Sequence, residues 1–183
     1  MPDAVTDACC AINLFAAGRG DAVWTAGGFT WHVPSQVASE SLFIRKPDPD
    51  DAARLIPEPI DLRPLIDRKI LYPCDLAVGL ETALFVELAA DLDDGEAAAL
   101  AISQARGWVL ATDDRKARRE AANIGVPVVT TPELMKTWAD ATGAAEADIA
   151  RLLRDIQTFA RFIPHKTMPL HSWWVDAISK GGS

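Results

Sequence analysis

The stretch WVLATDDRKARRE at 108–120 decides the fold. Its first five residues are apolar and β-favouring, and a short run of this kind predicts a buried strand. The polar residues that follow predict a helix that begins at once. A strand that passes directly into a helix is typical of a parallel α/β sheet, and it leaves Asp113 and Asp114 at the carboxyl end of the strand.

Patterns on either side of this stretch extend the arrangement. Further strands are predicted at 3–8, 29–33, 70–72 and 126–130. Helices are predicted at 9–17, 21–26, 34–45, 80–92, 94–106, 114–123 and 132–141, and the proline-rich stretch 47–60 is predicted as a loop or insertion. Strands that alternate with helices predict an α/β fold, with a parallel sheet of about four to five strands flanked by helices.

The end of the chain is expected to form a C-terminal helical extension. It covers about 144–183, joins a core at about 3–142, and completes one domain over 1–183. Apolar residues from Ile149 to Ile163 follow helical spacing, and a second apolar cluster contains Trp173 and Trp174. A stripe of this kind usually packs on a core as a lid. The alternative is a homodimer or partner surface, because tryptophan is enriched at protein interfaces.

Composition restricts the possible functions. A net charge of −8 argues against coating nucleic acid by bulk attraction, although a divalent ion can supply positive charge at one phosphate. No apolar run approaches the roughly 20 residues that span a bilayer, so no membrane association is expected. The N-terminus has no signal-peptide pattern. Three cysteines without zinc-ligand spacing favour a reducing, cytoplasmic setting.

Acidic residues from separate segments are expected at one edge of the sheet. Asp7 follows the first strand and Asp114 follows the strand at 108–112, and ligands of open parallel sheets bind beyond the carboxyl ends of the strands. Glu96 lies in the first turn of helix 94–106.

Glu40 is expected beside these acids. On the predicted helix 34–45 it shares the apolar face with Val37, Phe43 and Ile44, and a carboxylate placed there requires a cation or donors. Four oxygen ligands of this kind suit Mg²⁺ or Mn²⁺.

Each acid alone also has a structural explanation. Asp94 and Asp114 are good helix N-caps, and Glu96 suits the positive end of a helix. Asp7 could cap the helix after it, Glu40 could be satisfied by arginine or backbone, and Asp113 could be solvated. Asp93 is expected to be a solvated turn residue. The metal hypothesis depends on the whole set, because caps have no reason to gather at one edge.

A basic run follows the last acid. It consists of Arg115, Lys116, Arg118 and Arg119. These side chains are candidates for binding RNA phosphates beside the metal. The alternative is a solvated helix face on which Asp114 and Arg118 form a pair four residues apart.

Five ordered stretches resemble the PIN domain family over about residues 3–142. They are DACCAINLF at 7–15, VPSQVASE at 33–40, LDDGEAAALAIS at 92–103, WVLATDDRKAR at 108–118 and VPVVTTPEL at 126–134. Their order and spacing agree with the family. The Gly-Glu and Asp-Asp-Arg variants look closer to a branch of uncharacterised PIN-like proteins than to the VapC toxins.

The resemblance implies a small metal-dependent ribonuclease that hydrolyses RNA phosphodiester bonds. Its acidic ligands carry over to Asp7, Glu40, Glu96 and Asp114, and its hydroxyl near the last acid carries over to Thr112. Such proteins are often the toxin of a toxin–antitoxin pair, which would make an antitoxin protein a partner. The chain departs from the family at Ala8, where many VapC-like members have a hydroxyl, and at Asp113, where asparagine is usual. It departs again at Glu96, since aspartate is commoner there.

The expected mechanism uses the ion to activate a water in line with the phosphorus, while one carboxylate takes the proton. Asp113 is expected to support a ligand from behind. The main alternative is a non-catalytic PIN-like module that binds RNA or protein. A haloacid-type phosphatase is disfavoured because Asp7 is followed by Ala8 and Cys9 rather than by an Asp-x-Asp pattern. Nucleophilic chemistry by Cys9 or Cys10 is disfavoured because no histidine lies in a motif beside them.

Overall fold

The computed structural model describes residues 1–18, 20–40 and 42–181, which divide into two compact units. We call the first the sheet unit; it comprises Met1–Ala11, Gly28–Glu40 and Leu62–Thr131. We call the second the helical unit; it comprises the described residues of 12–27, 41–61 and 132–183. The single domain over 1–183 stays a prediction, and its last two residues lie outside the described part of the chain.

A parallel sheet organises the sheet unit. The strands of the chain are β1 (Asp3–Thr6), β2 (Thr30–Pro34), β3 (Phe43–Pro47), β4 (Leu55–Pro59), β5 (Leu71–Cys74), β6 (Val109–Ala111) and β7 (Val128–Val129). Among the described residues, five of these form one sheet in the order β5-β2-β1-β6-β7, with every neighbouring pair parallel. The predicted α/β fold with helices around a parallel sheet is therefore confirmed.

The helices mostly follow the predicted positions. They are α1 (Ala8–Ala16), α2 (Gly20–Ala26), α3 (Ser35–Ser39), α4 (Arg63–Asp67), α5 (Leu80–Leu88), α6 (Asp94–Arg106), α7 (Arg115–Asn123), α8 (Thr131–Thr142), α9 (Glu146–Asp155) and α10 (His171–Lys180). A π-helical turn, Ile156–Ala160, extends α9. The sequence patterns did not predict α4. No helix in the described ranges is long and apolar enough to cross a membrane.

The core of the sheet unit explains why its acids lie at an edge. Buried side chains of the central strands, such as Val5 and Leu110, pack with the apolar face of α6. That face carries small residues, including Ala97 and Ala99, which let the helix approach the sheet closely. The apolar residues fill the interior, so the polar residues that end each strand lie where the sheet stops.

The predicted helix 34–45 is wrong in its second half. The helix α3 ends at Ser39, Glu40 is its exposed C-cap residue in an extended conformation, and residue 41 lies outside the described residues. Phe43 and Ile44 belong to β3, which pairs with β4 in an antiparallel hairpin. The helical spacing of these apolar residues was misleading, because pairing with a strand that lies further along the chain decides their conformation.

The stretch 47–60 was predicted as a loop or an insertion, and the loop alternative is wrong because β4 lies within it. Prolines usually disfavour strands, but their positions here are compatible with one. The backbone N–H of Ile60 donates to the carbonyl of Leu42, and that of Asp48 donates to the carbonyl of Arg54. These bonds show which facing pairs of the hairpin are hydrogen-bonded, because bonded and non-bonded pairs alternate. In that alternation Pro57 and Pro59 fall at positions whose nitrogen faces away from β3, so neither proline removes a ladder hydrogen bond.

The predicted C-terminal helical extension is present as α9 and α10. The guanidinium of Arg154 donates to the carbonyl of Ile178 at 2.7 Å and thereby ties the end of α10 to α9. The indole of Trp174 is fully buried and meets the Phe162 ring edge-to-face, with centroids 5.8 Å apart. The two helices therefore form a fixed pair within the helical unit.

Candidate metal centre

Asp7 follows β1 and is 1% exposed. Its Oδ1 accepts the backbone N–H of Cys10 at 2.9 Å, as an N-cap does at the start of α1. The Cys9 thiol donates to each carboxylate oxygen at 3.1 Å, and the Thr112 hydroxyl donates to Oδ2. Burial raises the pKa of the Asp7 carboxyl to about 7, although these donors and the Cys10 amide oppose the rise. A cation beside Asp7 would favour its charged form.

Thr112 links the ends of two structural elements. Its hydroxyl donates to Asp7 after β1, and the same oxygen accepts the backbone N–H of Asp114 at 3.1 Å. Thr112 is fully buried. One hydroxyl therefore fixes the buried acid relative to the start of α7.

Asp114 is the N-cap of α7. Its Oδ1 accepts the backbone N–H groups of Lys116 at 2.6 Å and Ala117 at 2.9 Å. Both bonds go to the same atom, so within the described part of the chain Oδ2 has no hydrogen-bond donor. That second oxygen is available to another ligand.

Glu96 lies in the first turn of α6 and forms a capping box with Asp93. The backbone N–H of Glu96 donates to Asp93 Oδ1 at 2.8 Å, and Glu96 Oε2 faces the Asp93 N–H at 3.4 Å. Partial burial, with Asp114 and Asp93 close by, raises the pKa of Glu96 to about 7. The cap of this helix is thus Asp93 and not Asp94. Asp93 is exposed, as expected, but its capping role was not predicted.

Glu40 reaches the same helix by a route different from the expected one. It does not lie on an apolar helix face with Phe43 and Ile44, because α3 ends before it. Its Oε1 instead occupies the space into which a Cβ at Gly95 would project. Partial burial, with Asp93 and Asp94 nearby, raises the pKa of Glu40.

Asp113 is buried, and the suggestion that it is solvated is wrong. Its Oδ1 accepts the backbone N–H of Thr131 at 2.9 Å, and its Oδ2 accepts the hydroxyl of the same residue. Its backbone N–H contacts the Cys9 sulfur at 3.3 Å. The charge of Asp113 also contributes to the raised pKa of Asp7. Asp113 therefore fixes the end of β6 close to the buried acid.

The basic run on α7 is divided by its pairings. Arg119 pairs with Glu120 at 2.7 Å, and Lys116 donates to the backbone carbonyl of Asp91. The Nε of Arg118 is buried without a partner among the described residues, and no ion pair joins it to Asp114 there. Arg115 is exposed, and within the same residues it forms no ion pair. It is the cation of the run that is most open to a ligand.

Cys9 contacts the acids at this edge, and the sequence did not predict that contact. Its sulfur lies between Asp7 and Asp113 and is 3.8 Å from the Thr112 hydroxyl. Burial, together with the charge of Asp7, raises the pKa of the Cys9 thiol well above its usual value. One signal was available: Cys9 occupies the second position of a helix capped by Asp7, where side chains lie close to the cap.

The carboxylates of these residues suit a hard divalent cation, but the distances between them are too large for a binding site. Carboxylate oxygens are the ligands that Mg²⁺ and Mn²⁺ prefer, and crowded acids with raised pKa values are relieved by a cation. However, no three His, Cys, Asp or Glu side chains among the described residues are grouped closely enough to hold an ion as they stand. An ion at this edge therefore requires some of these carboxylates to move closer together.

The fold and this edge define a parallel α/β domain with acids beyond the carboxyl ends of its central strands. A family model described as a PIN domain matches residues 3–168, and the chain belongs to the PIN domain family. No curated protein and no solved structure matches it. The predicted family membership is confirmed. PIN domains have a nuclease-type fold, are generally nucleases and typically use divalent metals.

Proposed function

We propose that this chain is a Mg²⁺- or Mn²⁺-dependent endoribonuclease that hydrolyses RNA phosphodiester bonds. The observation that carries the proposal is Asp7, a fully buried carboxyl held by three side-chain and backbone donors beside other acids. Burying a carboxylate is costly, and a domain of nuclease type has a use for one at the carboxyl edge of its sheet.

The ligands in this proposal are Asp7, Glu40, Glu96 and Asp114. A cation held by these residues would supply Lewis-acid chemistry, which would make a bound water more acidic and would offset charge on the leaving oxygen. Thr112 and Asp113 keep Asp7 and the start of α7 in position through the hydrogen bonds described above. One carboxylate of this set would accept the proton of the attacking water.

RNA binding is proposed for the basic run. Arg115 is exposed and unpaired within the described residues, so it would contact a phosphate that flanks the scissile bond. Arg118 would do so from the same helix once it turns outward, whereas Lys116 and Arg119 would first have to leave their present partners.

The test is cleavage of a mixed single-stranded RNA pool with Mn²⁺ by the wild-type chain and by Asp7→Asn. We expect Asp7→Asn to lose at least about 100-fold in rate, because losing a direct ligand should exceed the ~10–100-fold cost of losing a group that only supports one. Asp140→Asn makes the same charge change on α8, where Asp140 pairs with Lys136, and should cleave normally. Full activity of Asp7→Asn would refute the proposal.

One observation favours a second function, a non-catalytic PIN-like module that binds RNA or protein. Asp114 and Glu96 already act in helix capping, which is a sufficient structural reason for their presence. Binding of the RNA pool without cleavage at any Mn²⁺ concentration would support this alternative.

A role as a VapC-like toxin in the cytoplasm, with an antitoxin as partner, is a further proposal based on the PIN family. A homodimer is a further proposal, based on apolar side chains that stay exposed in the C-terminal region, such as Ile163 and Val175. Growth arrest on expression, relieved by the product of a neighbouring gene, would support the toxin role. Light scattering over a range of concentrations would measure the oligomeric state.

A further inference from the structure

A cavity of about 360 Å³ lies between α9 and α10 in the helical unit. This volume is within the range of roughly 300–1,000 Å³ that is typical of small-ligand pockets. Its lining residues are Glu146, Ile149, Trp173, Asp176, Ala177 and Lys180. None of them belongs to the acids of the sheet unit, so the cavity is a separate feature.

The walls of the cavity are held in place by hydrogen bonds from a side chain of α9 to backbone carbonyls at the end of α10. Arg154, on α9, donates to the carbonyls of Ile178 at 2.7 Å and Gly181 at 3.5 Å. A Cβ at Gly181 would overlap the Ala150 side chain and come within 3.0 Å of the Glu146 carbonyl, so the chain approaches α9 closely at this point. The cavity is therefore a preformed feature of two fixed helices.

The lining combines an aromatic ring with unpaired acids. Ile149, Ala177 and Trp173 are half-buried and supply apolar surface. Glu146 and Asp176 form no ion pair with any described residue. Lys180 stands four residues after Asp176 on α10, also without an ion pair in the described part of the chain. Two acids and one lysine leave the cavity with a net charge of −1.

We propose that this cavity binds an arginine side chain of a partner polypeptide, together with the apolar residue beside it. A guanidinium stacks on the face of an indole and at the same time bonds to carboxylates in a planar fork. An anionic ligand would face two acids against one lysine. A purely apolar ligand would contact only Ile149, Trp173 and Ala177 and would make no use of the two exposed carboxylates. The proposal is independent of RNA hydrolysis.

The test uses blocked dipeptides that differ in charge. Acetyl-Leu-Arg-amide is titrated into the full chain, with acetyl-Leu-citrulline-amide as the neutral isostere and acetyl-Leu-Glu-amide as the anionic probe. Binding is followed by the indole N–H resonance of Trp173, which is assigned by its loss in Trp173→Phe. The variants are Glu146→Gln and Asp176→Asn, with Asp140→Asn as the matched control on α8.

We expect the arginine peptide to shift the Trp173 resonance and to bind about threefold to tenfold more tightly than the citrulline peptide, the range for exposed cation–π and ion-pair contacts. Glu146→Gln and Asp176→Asn should each weaken arginine-peptide binding several-fold and leave citrulline-peptide binding unchanged. Asp140→Asn should bind like the wild-type chain.

Three results would overturn the proposal. Equal binding of the arginine and citrulline peptides would show that charge is irrelevant, and tighter binding of the glutamate peptide would show that Lys180 governs the cavity. A Trp173 resonance that shifts with protein concentration, but not with added peptide, would identify a second copy of the chain as the occupant.

Discussion

The two acids that follow strands β1 and β6 differ from two acids at the ends of helices. The first two are Asp7 and Asp113; the others are Glu40, at the end of α3, and Glu96, at the start of α6. Asp7 and Asp113 are buried and held by hydroxyl, thiol and backbone donors. Glu40 and Glu96 are more exposed, and other carboxylates surround them, which helps to raise their pKa values. Asp7 and Asp113, which we call the strand-end group, are thus preorganised, whereas Glu40 and Glu96, the helix-end group, have fewer hydrogen bonds to hold their carboxylates.

The largest expected effect concerns pH and sharpens this contrast. Asp7 has a pKa raised to about 7 in the folded chain, so its contribution to stability is fully present below its unfolded pKa and is lost as pH rises towards 7. Without metal, we expect the free energy of unfolding to fall by about 3 kcal/mol between about pH 5 and pH 8.

Urea unfolding of wild type and Asp7→Asn at several pH values measures this effect. The decline should be much smaller in Asp7→Asn, because the titrating carboxyl is absent. Glu96 acts in the same direction but is partly exposed and should contribute less. A parallel decline in both proteins would show that burial of Asp7 does not govern the pH dependence.

Removing the Thr112 hydroxyl should have the next largest effect. Thr112→Val keeps the shape but leaves one Asp7 oxygen and the Asp114 N–H without this partner. We expect a loss of about 1–3 kcal/mol in the free energy of unfolding, the usual cost of unsatisfied buried polar groups. Thr137→Val is a matched control, since among the described residues the Thr137 hydroxyl donates to the Glu133 carbonyl of its own helix, α8. An unchanged stability of Thr112→Val would contradict the preorganised character of the strand-end group.

Gly95→Ala perturbs the helix-end group with a smaller effect. The new Cβ would displace the Glu40 carboxylate, which is the end of a flexible side chain, while alanine favours the helix by up to ~1 kcal/mol over glycine. We expect stability within about 1 kcal/mol of wild type, together with Mn²⁺ binding weakened several-fold. Calorimetric titration of Mn²⁺ measures the binding. Unchanged Mn²⁺ affinity would remove Glu40 from the proposed ligands.

Arg115→Ala should have the smallest effect. Loss of one exposed phosphate contact should weaken RNA binding a few-fold. It should also reduce the slope of log K against the logarithm of the salt concentration by about one. Arg119→Ala is the matched control, because Arg119 is already paired with Glu120. Anisotropy of a labelled RNA over a salt series distinguishes them. Equal effects of both variants would show that the basic run attracts RNA only through its overall charge.

Local patterns were sufficient to predict where acids follow strand β6, but not how those acids are buried. The β-favouring run at 108–112 and the polar helix after it place Asp113 and Asp114 without reference to distant residues. The burial of Asp113 could not be predicted in this way, because its partner Thr131 lies 18 residues away in the sequence.

The region around Glu40 shows why the remainder was not predictable. The spacing of Val37, Phe43 and Ile44 favours a helix, but the hairpin pairing of 43–47 with 55–59 overrides it. The contact of Glu40 with Gly95 joins two segments that no local pattern connects. The reason for glycine at position 95 is clear only once the Glu40 carboxylate is known to lie beside it.

Mn²⁺ binding tests the central claim most directly, namely that acids from separate segments form one site for a divalent cation. The measurement is a calorimetric Mn²⁺ titration of the wild-type chain, Asp7→Asn and Asp140→Asn near neutral pH. We predict saturable binding to the wild-type chain and to Asp140→Asn, and its loss in Asp7→Asn. Equal binding by all three proteins, or no binding by the wild-type chain, would contradict the claim.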